Sequence, residues 1–180
     1  MAKIIKLTAA ISALLTVIFA VLYIVTCADL ILTFTIIFGT TAYHFIMRLA
    51  VGLVINLIMH NKADYNAKWF RVSERELKFY HKLGVKKFKG NMPTYNPSLF
   101  DPKVHSWEEI AGAMCQAEIV HEVIVVMSFL PVFASIPFDA LAVFIITSVI
   151  AAFYDSIFVI MQRFNRTRVI KHIDKKHHNS

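Results

Sequence analysis

The hydrophobic positions of this chain gather into four long runs, residues 7–26, 30–59, 110–130 and 141–161. Each approaches or exceeds the ~20 apolar residues an α-helix needs to cross a bilayer. Between the second and third runs lies a polar segment, residues 61–105, and after the fourth a short basic tail. The pattern predicts an all-α protein: a four-helix transmembrane bundle with helices at about 7–27, 30–60, 107–131 and 138–164. It forms one integral membrane domain over residues 1–180, with a basic amphipathic segment between the second and third helices.

Inside the polar segment the pattern shortens. The stretch S-E-R-E-L-K-F-Y-H-K-L-G reads as a capped helix, with Ser73 as N-cap, Glu76 closing a capping box and Gly84 placed to end it. Leu77, Tyr80 and Leu83 are expected to face the membrane while Glu74, Lys78 and Lys82 stay in water, so the helix lies on the surface. Just before it, Trp69 and Phe70 between Lys68 and Arg71 have the makeup of an interfacial anchor. Pro93, Pro97 and Pro102 predict an irregular connector. Ser106 with Glu109 is a second capping box and opens the third helix.

Composition agrees. The chain is 57% hydrophobic with a mean hydropathy of +0.59, which excludes an ordinary soluble domain. Lys3 and Lys6 ahead of the first run imitate a signal peptide, but that run is long and no A-x-A site follows, so it is read as an anchor. Cys27 and Cys115 lie in or beside spans; they are read as buried thiols and give no disulfide framework.

The net charge of +7 is unevenly spread. Of the nineteen Lys and Arg, all but Arg48 lie before the first span, between the second and third, or at and beyond the end of the fourth. Under the positive-inside rule both termini and the 61–105 segment are expected to be cytoplasmic, with four crossings of the cell (inner) membrane. Juxtamembrane cations of this kind meet lipid headgroups, and no nucleic-acid partner is expected. Lys86, Lys87 and Lys89 around Phe88 suit anionic lipid, the phosphates of a coenzyme A or the acidic face of an acyl carrier protein.

Several ionisable residues interrupt the apolar runs, where each costs roughly 2.5–3.5 kcal/mol at mid-bilayer. In A-E-I-V-H-E the spacing places Glu118 near His121 and Glu122 on one side of a helix, with Cys115 a turn earlier. His44 and Arg48 are one turn apart in the second run, and Arg48 is expected to meet a carboxylate, Glu118 or Glu122. In the fourth, Asp155, Gln162 and Arg166 share a face, so Asp155 is expected to steady the run Q-R-F-N-R-T-R.

Acyl transfer to a hydroxyl needs a base, a group to orient it and donors for the oxyanion. His121 suits the first and Glu118 the second, while Arg48 and His44 suit a carbonyl oxygen. Arg163, Asn165 and Arg166 with the loop lysines suit the donor's head. Other readings stay open. E-x-x-H is half of a diiron carboxylate motif, although a second copy is absent. A Cys115 nucleophile, or a non-catalytic lipid-binding or transport protein, would use the same residues.

The segment E-R-E-L-K-F-Y-H-K-L-G-V-K-K-F-K (74–89), the core A-E-I-V-H (117–121) and the run Q-R-F-N-R-T-R (162–168) resemble the bacterial glycosyl-4,4'-diaponeurosporenoate acyltransferase family. The resemblance covers roughly residues 69–168, with the motifs in the same order. It implies a membrane enzyme that esterifies a fatty acyl chain onto a lipid-linked hydroxyl, that of the sugar of a carotenoid glycoside as in the family or equally that of another membrane (glyco)lipid. Carried over to this chain, the family's motif positions are Lys78, Phe79, Lys82, Lys87 and Lys89; Glu118 and His121; and Gln162, Arg163, Asn165, Arg166 and Arg168. Glu122 and Asp155, outside those motifs, complete the candidate substrate-binding set. The expected partners are membrane lipids and a lipid-linked acceptor. Acyl-CoA or an acyl carrier protein is the expected donor, and no resident cofactor or metal is called for. Phe88 departs from the family, which usually has Trp there, and the Y-H-F-I-M-R-L stretch has no clear counterpart in it.

Overall fold

In the computed structural model, which describes residues 2–88 and 95–178, every regular element among them is helical. Four helices are long and apolar enough to cross a membrane. We label the helices α1 (Ala2–Thr26), α2 (Asp29–Met59), α3 (Glu74–Lys82), α4 (Val85–Phe88), α5 (Trp107–Met127), α6 (Ser135–Phe138) and α7 (Leu141–His178). Short 3-10 turns occupy Lys68–Phe70, Pro97–Phe100 and Leu130–Ala134. By contacts the chain forms two compact units, Met1–Gly52 with Ile124–Tyr154, and Leu53–Val123 with Asp155–Ser180.

The first unit shows how a lipid-facing helix hides its polar groups. Ser12 and Thr16 donate their hydroxyls to the carbonyls of Thr8 and Ser12, at 2.6 and 2.7 Å, and Thr40 does the same to Ile36 at 2.7 Å. With no water in the hydrocarbon to satisfy them, such groups must bond within the protein. Gly39 lets α2 approach Thr16, and Phe19 stacks on Phe34 and Phe38 at 5.2 and 5.4 Å between ring centres. Cys27 differs from the expectation of a buried thiol. It stands in the turn between α1 and α2 with φ of 51° and is exposed in the protein.

The connection between α5 and α7, and the far end of α7, depart from the sequence pattern. α5 stops at Met127, and Pro131 and Pro137 break the chain into a 3-10 turn and a single helical turn. Asp139 then takes a left-handed φ of 47° before α7 begins. At the other end α7 runs on to His178, and its 38 residues give a length of about 57 Å at 1.5 Å per residue. That is well beyond a hydrocarbon core of about 30 Å. The stretch expected to be a basic tail stays helical because Val169 and Ile173 still have an apolar partner. They pack on Ile110, Ala111 and Met114 of α5, joined by Tyr65, Phe100 and Trp107.

That cluster is half of the second unit's core. His60 and Asn61, at φ of 49° and 57°, turn the chain out of α2. Gly112 then admits the backbone of Asn61 and Ala63 against α5, since a Cβ there would sit 2.9 Å from the Asn61 carbonyl oxygen. Gln116 of α5 accepts from the Asn61 N–H at 2.6 Å and donates to Asn56 Oδ1 at 3.2 Å, tying the same corner. The other half of the core gathers Tyr80, Val85 and Phe164 with Val72, Leu77 and Ile160. Here the expectation for α3 is corrected: Leu77 and Tyr80 face Phe164 of α7 rather than lipid, while Phe79 and Leu83 are the exposed apolar residues. Ser73 caps α3 through a 3.2 Å bond from the Glu76 N–H, and Gly84 ends it at φ of 70°.

Candidate active site

Glu76, Glu118, Arg163 and Arg166 of the second unit form one connected arrangement on α3, α5 and α7. Glu118, on α5, has no exposed surface. One of its carboxylate oxygens accepts from Arg163 Nη1 at 2.6 Å, and the other takes Arg166 Nη1. Arg163 reaches on to α3, donating Nε to Glu76 at 2.6 Å, and Glu76 also accepts the hydroxyl of Tyr80. Two carboxylates therefore balance two guanidinium groups. An unpaired buried charge would cost several kcal/mol, so this balance is a condition of the packing.

The same arginines hold the chain between the 3-10 turn and α3. Arg163 donates to the carbonyls of Trp69 and Arg71 at 3.4 and 3.2 Å, and Arg166 to that of Phe70 at 2.6 Å. The Arg166 guanidinium also lies 5.0 Å from the centre of the Phe70 ring, a cation–π contact away from water. Planar guanidinium groups with five fixed donors are suited to serving a carboxylate and main-chain oxygens at once. Burial pulls the Glu76 carboxyl upward, but the bonds from Arg163 and Tyr80 and the charge of Arg163 outweigh it, leaving Glu76 below the usual glutamate value. Burial, and then the Glu76 carboxylate, push the Tyr80 hydroxyl up.

A second pair stands beside this cluster. His121 Nδ1 lies 2.9 Å from Asp155 Oδ1, with the Asp155 side chain 2% exposed and that of His121 23% exposed. The imidazole stacks flat on Phe158, 4.7 Å between centres at 9°. Packing on one face and a carboxylate at one nitrogen fix the ring's orientation. Next to His121 on α5, Glu122 accepts the indole N–H of Trp69 at 3.0 Å.

Sequence spacing had grouped these residues differently. Glu118, expected to orient His121, is bracketed by the arginines, and Asp155 takes the position at the imidazole. Asp155, expected to steady the Q-R-F-N-R-T-R run, bonds His121, and Glu118 takes Arg163 and Arg166 of that run. Arg163 and Arg166 direct their donors inward, and Arg166 is entirely buried. Of the two carboxylates expected for Arg48, Glu118 holds two arginines, Arg163 and Arg166, and Glu122 the indole. His44 and Arg48 lie in the first unit, where His44 is buried and Arg48 donates to the His44 carbonyl at 3.1 Å.

The remaining candidates separate by exposure. Gln162 is buried, Asn165 half-buried and Arg168 exposed; Lys78, Lys82 and Lys87 stand exposed on α3 and α4. Lys89 lies outside the described residues. Sequence reasoning missed four members of the cluster, giving Trp69 and Phe70 the role of an anchor, Glu76 that of a cap and Tyr80 a place facing the membrane. The signal available was Glu76 itself, an acidic residue on the face of α3 that also carries Tyr80 four residues on. Among the described residues no three His, Cys, Asp or Glu side chains are grouped so as to hold a metal ion.

Helices of this length and hydropathy, with an ion network and a histidine–aspartate pair between them, define an all-helical membrane protein that holds its polar chemistry inside. The sequence model of the glycosyl-4,4'-diaponeurosporenoate acyltransferase family matches residues 66–175, well over half of the chain. The chain belongs to that family, a family of acyltransferases. No curated protein and no solved structure matches it.

Proposed function

We propose that this protein esterifies a hydroxyl on the sugar of a membrane-bound carotenoid glycoside, with His121 as general base. The His121–Asp155 pair carries the reading. An ionised carboxylate can only accept, so Asp155 keeps the proton on Nδ1 and leaves the Nε2 lone pair as the base. In the reaction the acceptor oxygen bonds to the acyl carbonyl carbon, and its proton passes to Nε2. As the carbon–sulfur bond of a thioester donor breaks, the imidazolium returns that proton to the thiolate. Asp155 stabilises the imidazolium between the two steps.

The acceptor's chemistry follows from the family's name, and its apolar tail suits approach through the bilayer. The donor is an acyl-CoA or an acyl carrier protein; the exposed Lys78, Lys82 and Lys87 support an anionic head at that side. Both termini face the cytoplasm in this proposal, where such donors are found, and the membrane is the inner cell membrane. Purified protein in lipid nanodiscs, given acyl-CoA and a glycosylated acceptor, should form the ester detected by mass spectrometry. His121→Ala should lower the rate by about 10²–10⁴, the usual range for a lost general base. Asp155→Asn should lower it less and alter its pH profile. Full activity in folded His121→Ala, or movement of lipid between leaflets with no ester formed, would end the proposal.

A further inference from the structure

We infer that Trp69 and Glu122 form the subsite for the acceptor's sugar, a deeper statement that rests on the acyl transfer proposed above. Trp69 is 66% exposed, yet it is fixed at two points. Its carbonyl accepts from Arg163, itself braced on Glu118 and Glu76, and its indole N–H is held by Glu122. A tryptophan that only anchors a protein at the interface turns its N–H to headgroups and water. In this one the N–H is committed to a carboxylate of α5, and the ring is what the protein presents outward.

A fixed aromatic surface beside a carboxylate matches the two sides of a hexose. The sugar's C–H face packs on the indole, and its hydroxyls donate to the carboxylate. Glu122 has the capacity: an ionised carboxylate offers about four acceptor sites, and the indole uses one. Its place in the chain gives the subsite a use. Glu122 follows His121 directly on α5, about 100° further around the helix, so a sugar bonded there has its hydroxyls within a side chain's reach of the imidazole. Arg163 then acts as a positioning residue, setting the backbone from which the indole projects.

The test compares two acceptors of equal chain length, an alkyl β-glucoside and the corresponding alcohol, with the purified protein in nanodiscs. Trp69→Ala and Glu122→Gln should each raise KM for the glucoside about tenfold or more while kcat stays within about threefold, the mark of lost ground-state binding. Both constants for the alcohol should hold. Unchanged KM for the glucoside, or a parallel loss toward both acceptors, would overturn the subsite and leave acyl transfer standing. A binding measurement separates the two ideas from the other side. In a Trp107→Phe background, where Trp69 is the remaining indole, a short alkyl glucoside below its micelle concentration should change the fluorescence saturably, and Glu122→Gln should abolish the change. Saturable binding without ester formation would support the subsite and sink the acyl-transfer reading; no saturable response would sink the subsite.

Discussion

Replacing Glu118 by Gln removes one charge from the interior and changes little else, because the amide keeps the carboxylate's shape. Arg166 is the residue that feels it. With 0% of its side chain exposed it cannot turn to water, and the Phe70 carbonyl at 2.6 Å and the ring beneath its guanidinium, which it keeps, carry no charge to offset its own. Breaking a buried pair by removing one partner costs about 3–5 kcal/mol. Arg163 adds little, since it keeps Glu76 at 2.6 Å and is 15% exposed. For a chain of this size each kcal/mol moves Tm by about 2–4 °C, so the variant should melt roughly 6–20 °C lower. Circular dichroism of the purified protein in a mild detergent would follow it. Glu118→Gln combined with Arg166→Met supplies the control. With both charges gone, an apolar side chain of similar volume restores a neutral interior, and such replacements are often neutral or stabilising. The double variant should recover at least half of the lost Tm. A single variant within about 2 °C of the wild type, or a double variant less stable than the single, would show that charge balance does not hold these segments together.

Two further outcomes follow from the second unit. Gly112→Ala should cost about 1–3 kcal/mol, as overpacking does, because the new Cβ meets main-chain oxygens of Asn61 and Ala63 at 2.9 and 3.3 Å that cannot swing aside; an unchanged Tm would contradict the tight corner. Glu76, whose folded pKa lies below its unfolded one, contributes stability that is complete above the ordinary glutamate value and is lost as pH falls through the lower folded value. The stability difference between wild type and Glu76→Gln should therefore be constant near neutrality and shrink on acidification, and a gap that widens in acid would reverse the assignment.

The spans, the caps and the family were legible along the chain because each depends on neighbours a few residues apart. Runs of apolar residues must be helical in lipid, where every backbone group has to bond within its own segment. Ser106 and Glu109 exchange capping bonds of 3.2 and 2.8 Å as their spacing requires, and Gly84 has the positive φ that ends α3. The spacing also brought Glu118, His121 and Glu122 together on α5, but it could not say which group each would meet. Glu118 meets Arg163 across 45 residues, His121 meets Asp155 across 34 and Glu122 meets Trp69 across 53. Local geometry sets the face on which a side chain emerges, while the identity of its partner depends on which distant segment is packed there. For buried charges that choice is sharp, since a carboxylate withdrawn from water needs donors at bonding distance, and the tertiary arrangement alone determined that α7 and the 69–76 stretch would provide them.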